Sequence, residues 1–85
     1  MDVQQTLLRE TVRRLRRFTG ESQQALAVAL GLSVRAVANY EAGKIPEPCV
    51  LVLLAKYAKA AGRYEIADQF LWMLADQIGV KAVTL

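Results

Sequence analysis

With 85 residues, no histidine, one cysteine and a formal charge of +3, the chain is bounded before any motif is read. One domain is expected at this length, and the missing histidine removes a Ser-His-Asp triad, a Cys-His pair and any imidazole metal ligand. Apolar residues reach 54%, above the roughly 45–50% usual in soluble domains, in a chain short enough to hide only about 60–65% of its unfolded surface.

Val3, Leu7, Leu8, Val12, Leu15 and Phe18 recur at three-to-five-residue intervals, which predicts a first helix. Gly20 can end it in a left-handed cap. Ser22 is a fair N-cap for a second helix opening at Gln23, and Gly31 interrupts that helix after Leu30. Ser33 caps a third, from Val34 to about Ala42, closed by Gly43. Ile45-Pro46-Glu47-Pro48 is a stiff connection that does not continue a helix. Pro48 suits the first turn of a fourth helix reaching about Ala61, with Cys49 expected as a small buried filler. Gly62 breaks it, and Arg63 to Ile78 reads as a fifth. The tail from Val80 to Leu85 is β-prone but short. The expected fold is all-α.

No apolar run approaches the ~20 residues of a membrane span; the longest, Cys49 to Ala55, stops at Lys56. Asp2 followed by five arginines up to Arg17 is not the pattern of a secretory signal. A soluble, cytoplasmic domain is expected. Lone Cys49 permits neither an internal disulfide nor a thiolate metal cage. No metal site or cofactor loop is visible, and no carboxylate pairs as general acid and base, so no enzyme is expected.

The basic excess sits in one half. Residues 1–45 carry Arg9, Arg13, Arg14, Arg16, Arg17, Arg35 and Lys44 against four acidic side chains, while residues 46–85 balance at four of each sign. A basic half beside a neutral, apolar one points to a polyanion-facing surface joined to a part that packs or associates.

Residues 23–44 hold the most informative spacing. Counting from Gln23, Ala27 stands fifth, Gly31 ninth, Val37 fifteenth and Tyr40 eighteenth. Two short helices crossing steeply need a small residue where their backbones approach, which Ala27 supplies. The turn between them needs a residue tolerant of positive φ, which Gly31 supplies. Val37 and Tyr40 share one face, and with Leu26, Leu30 and Leu32 they can close a core. This is a helix-turn-helix fingerprint.

Ser22-Gln23-x-x-Leu26-Ala27, Leu30-Gly31-Leu32-Ser33, Val37, Tyr40-Glu41-x-Gly43-Lys44 and Pro46, preceded by Val12-Arg13-x-Leu15-Arg16, resemble the lambda-repressor/Cro-like (Xre-type) helix-turn-helix family over roughly residues 8–60. The resemblance implies a five-helix DNA-binding domain whose third helix enters the major groove of double-stranded DNA. It implies that Ser33, Val34, Arg35, Ala38 and Asn39 face base edges. Arg35 can pair with guanine O6 and N7 and Asn39 with adenine N6 and N7, while Val34 and Ala38 suit thymine methyls. Gln23 and Lys44 resemble the family's phosphate contacts, at the start of the second helix and after the third. Arg16 and Glu41 resemble its buried ion pair.

Arg9, Arg13 and Arg17 share a face of the first helix, and two readings stay open for them. One is a solvated face, with Arg13 and Arg14 pairing to Glu10. The other is a phosphate or RNA patch at the rim of the DNA interface, with Arg17 as a phosphate contact. A membrane-surface helix is set aside, because Leu8, Val12, Leu15 and Phe18 are needed to pack so small a fold.

From Tyr64 to Ile78, ten of fifteen residues are apolar. At ~100° per residue nine of them cover an arc of roughly 200°, where one-sided packing needs ~100° or somewhat more. Trp72 falls in the polar arc among Glu65, Asp68 and Asp76. Either it anchors a partner or a folded-back tail, or the helix is short or bent and Trp72 completes the core. The division expected is a helix-turn-helix core over residues 1–62 and an associating helix and tail over 63–85, within one compact domain. A homodimer is expected through Ile66, Phe70, Trp72, Met73 and Ile78, with the Val80–Leu85 tail crossing to the partner. The alternative is a protein-interaction module, antitoxin-like, whose residues 63–85 bind another protein.

Overall fold

A computed structural model of the chain describes residues 3–79. The Val80–Leu85 tail lies outside the described residues. The order is α1 (Val3–Thr19), α2 (Gln23–Leu30), α3 (Val34–Glu41), α4 (Pro48–Ala60) and α5 (Tyr64–Gln77), with no strand among the described residues. None of these helices is long and apolar enough to cross a membrane.

The chain divides into two compact units between Ile45 and Pro46. The division falls in the proline-flanked connection rather than at Gly62. Gly62 instead belongs to a tight turn, where Arg63 N donates to Ala58 O at 2.8 Å and Gly62 N to Lys59 O at 2.9 Å.

In the first unit α3 packs against both α1 and α2. Leu8, Val12 and Leu15 of α1 are buried, as are Leu26, Ala27 and Leu30 of α2 and Val37 of α3. Phe18, expected in the α1 stripe, is instead 51% exposed, and Leu7 lies at the margin. Helical geometry explains it: at ~100° per residue both fall roughly 80° round from the middle of the buried arc. Thr11 falls inside that arc and is fully buried. Its hydroxyl donates to Leu7 O at 2.6 Å, which removes the cost of an unpaired buried hydroxyl.

In the second unit α4 and α5 pack together. Gln77 Nε2 donates to Pro46 O at 2.7 Å, tying the end of α5 to the approach of α4, so the pair is an antiparallel hairpin. Val50, Leu51 and Leu54 of α4 are buried, and so are Ile66, Phe70 and Met73 of α5. Fully buried Phe70 is worth about 1.5–3 kcal/mol of transfer free energy. Part of the apolar surplus of α5 is thus spent within the chain, on three of the five side chains expected to meet a second copy.

Cys49 is exposed, contrary to the buried filler expected, with Sγ 4.0 Å from Glu47 Oε2. At ~100° per residue it lies about 170° from the middle of the buried face of α4.

Candidate nucleic-acid interface

The helix-turn-helix is built from local signals that agree. Ser22 is extended, and its hydroxyl accepts from Ala25 N at 3.0 Å, satisfying one of the open donors at the start of α2. Gly31 caps the other end in the left-handed region, at φ 70° and ψ 29°. Leu32 N then returns to Ala27 O at 2.8 Å, closing the turn. Ser33 repeats the N-cap for α3, accepting from Ala36 N at 3.1 Å. At the exit Gly43 takes φ 105° and Lys44 N donates to Asn39 O at 3.0 Å, which fixes the backbone where Lys44 leaves the helix.

α3 is thereby two-faced. Val37 and Glu41 are buried, whereas Ser33, Val34 and Arg35 at its start are exposed and Ala38 and Asn39 are half-buried. Lys44 and Arg17 are exposed, and Gln23 is half-buried.

Glu41 is only 4% exposed and sits at the centre of a polar cluster. Arg16 Nε donates to Oε2 at 2.5 Å and Nη2 to Oε1 at 2.9 Å, a two-point grip. The Gln23 side chain also hydrogen-bonds this carboxylate, and Arg13 Nε lies 3.7 Å from Oε1. Arg9 Nε donates to the backbone carbonyl of Glu41 at 3.1 Å, near the end of α3, and Arg16 Nη1 donates to Glu21 O at 3.1 Å. The cluster joins α1, α2 and α3 at one buried carboxylate.

Electrostatics follow from this packing. Burial pushes the Glu41 carboxyl up, but the hydrogen bonds from Arg16 and Gln23 and the charges of Arg16 and Arg13 outweigh it. The group titrates below its ordinary value of 4.5. The hydrogen bond to Glu41 raises Arg16 in turn, against the effect of its own burial.

The sequence spacing did not single out Arg9 or Arg13 as partners of Glu41. A signal was present: Arg9, Arg13 and Arg16 are spaced i, i+4, i+7, one face of α1, and Arg17 lies beside that face. Gln23 enters this cluster through its side chain, a second engagement beside the helix-start position that marked it.

On α5, Ile66, Phe70 and Met73 belong to the interior, and the surface left for association includes Trp72, 65% exposed, and Ile78, 55% exposed. Trp72 does not complete the core: α5 runs unbroken through it, and it lies about 150° from the middle of the buried arc.

A capped helix pair joined by a left-handed glycine, with the start of its second helix bare and the rear face clamped, defines a helix-turn-helix DNA-binding domain. The family model HTH_3, helix-turn-helix, matches residues 12–59, more than half of the chain, and the chain belongs to that family, the lambda-repressor-like (Xre) helix-turn-helix proteins of transcription regulation. No curated protein and no solved structure matches the chain.

Proposed function

We propose that the chain works as a dimeric repressor that lays α3 into the major groove of a pseudo-palindromic operator and blocks polymerase by occupancy. The observation that carries this reading is the exposed start of α3, with Ser33, Val34 and Arg35 in solvent while Glu41 anchors the opposite face. In docked helix-turn-helix domains it is the N-terminal part of the second helix that meets base edges.

In this reading Arg35 donates twice to a guanine and Asn39 pairs with an adenine. Ser33 contacts either kind of base, and Val34 and Ala38 touch thymine methyls. Gln23, Lys44 and Arg17 contact phosphates and set register without reading sequence. The Gln23 side chain already bonds Glu41, so its phosphate contact falls to the backbone N–H at the start of α2 and to the remaining amide proton. Two copies present two third helices about one DNA turn apart, ~34 Å. No catalysis is assigned, and the site of action is the cytoplasm of a bacterium or of a phage's host.

Selection of bound duplexes from a random DNA pool, with the stoichiometry measured alongside, tests the reading. Inverted half-sites and two chains per duplex are expected. A pool without enrichment overturns sequence-specific binding, and one chain on one half-site overturns the dimer.

Exposed Trp72 and Ile78 favour a second reading, in which residues 63–85 bind another protein and DNA binding is secondary. A salt-resistant complex of fixed stoichiometry that Trp72→Ala abolishes would support it.

A further inference from the structure

The hairpin of α4 and α5 carries a groove of about 360 Å³ that the DNA-facing site does not use. Val52, Lys56 and Lys59 of α4 wall one side and Tyr64, Asp68 and Leu71 of α5 the other, with one buried alanine of each helix lining it as well. On each helix these residues repeat at i, i+3 or i+4 and i+7, so each wall is a single helical stripe. All six are exposed. Trp72, which follows Leu71 in sequence, is a further large apolar side chain exposed on α5.

The charges of the two walls are opposite. Between Pro48 and Ala60 the charged residues are Lys56 and Lys59, both cations; between Tyr64 and Gln77 they are Glu65, Asp68 and Asp76, all anions. A partner that lays α5 on α5 alone, or α4 on α4 alone, opposes like charges. A partner that lays its own α5 along this α4 opposes Asp68 to Lys56 and Lys59. Two-fold symmetry makes that match twice, because in an isologous contact residue i meets j and j meets i. The groove is complementary to the hairpin that carries it.

We propose that a second copy of this chain fills the groove, α5 of each copy lying against α4 of the other. The inference rests on the dimeric reading above and gives it a surface and a pairing rule. The apolar walls and Trp72 supply the buried area. Lys56, Lys59 and Asp68 set the register, since like charges brought together at an interface disfavour the wrong pairing.

The test uses the full chain in two charge-reversed forms, Lys56→Glu with Lys59→Glu, and Asp68→Lys. Sedimentation equilibrium gives the dimer Kd of each form and of their equimolar mixture, and circular dichroism checks that each is folded. Each variant alone is expected to dimerise about tenfold or more weakly than the parent chain. The mixture is expected to recover, because the acidic α4 of one form then faces the changed α5 of the other. If either folded variant dimerises like the parent, or the mixture fails to recover, the pairing rule is overturned while the dimer stands. A parent chain that stays monomeric at every concentration overturns the dimeric reading as well and leaves the groove to another protein.

Discussion

Arg16 holds Glu41 through two hydrogen bonds, Nε to Oε2 at 2.5 Å and Nη2 to Oε1 at 2.9 Å. The contact crosses from the second half of α1 to the last residue of α3. It ties the end of α3 to α1, and in the proposed reading the other end of α3 meets DNA. Removing either partner therefore changes stability first and DNA reading second.

The two removals are not equivalent. Arg16→Met leaves a carboxylate that is 4% exposed, whereas Glu41→Gln leaves a guanidinium whose side chain is 25% exposed. Breaking a buried pair costs about 3–5 kcal/mol. Arg13 and Gln23 remain beside Glu41, which places Arg16→Met near the low end, about 3 kcal/mol. Glu41→Gln is expected to cost less, about 1–3 kcal/mol. Urea unfolding of both variants measures the order; the reverse order contradicts the burial argument.

Glu41 also predicts an acid limb. Its folded-state pKa is depressed below 4.5, so its contribution is complete above that unfolded value and is lost as pH falls through the folded one. Unfolding free energy measured from pH 7 to pH 3 should drop more steeply below about 4.5 in the parent chain than in Glu41→Gln. Parallel curves would show that the carboxylate is not held ionised by its partners.

Gly31→Ala isolates a backbone term. Nothing lies within 4 Å of the added methyl, and φ is 70°. The expected loss of about 1–2 kcal/mol is therefore the left-handed conformation alone. Thermal unfolding should show it, with DNA affinity retained in proportion to the folded fraction. A stabilised variant would contradict the turn geometry.

Lys44→Ala is expected to weaken operator and random duplexes alike and to lower the slope of log K against log salt by about one. Titrations at several salt concentrations measure it. An unchanged slope would remove Lys44 from the phosphate contacts.

Much of this architecture is legible in the residues themselves. Ser22, Gly31, Ser33 and Pro48 mark helix ends by local chemistry, and those ends fall close to where the spacing put them. Packing depends on neighbours and is less legible there. Thr11 is buried although polar, because it bonds its own helix. Phe18 and Cys49 are exposed although apolar, because their angular positions lie off the buried arcs. Ile66, Phe70 and Met73 are surplus on a wheel of α5 alone, which does not reveal that α4 covers part of it. The spread of arginines around Glu41 was hidden for the same reason, since Arg9 and Arg13 find it across more than twenty residues of sequence.

In the proposed function α3 reads bases through Arg35. Fluorescence anisotropy of the parent chain and Arg35→Ala, each on the selected operator and on a random duplex, tests it most directly. The expected result is a loss of about 1–3 kcal/mol on the operator, relaxed preference at one base position and nearly unchanged affinity for random DNA. Equal losses on both duplexes would contradict it.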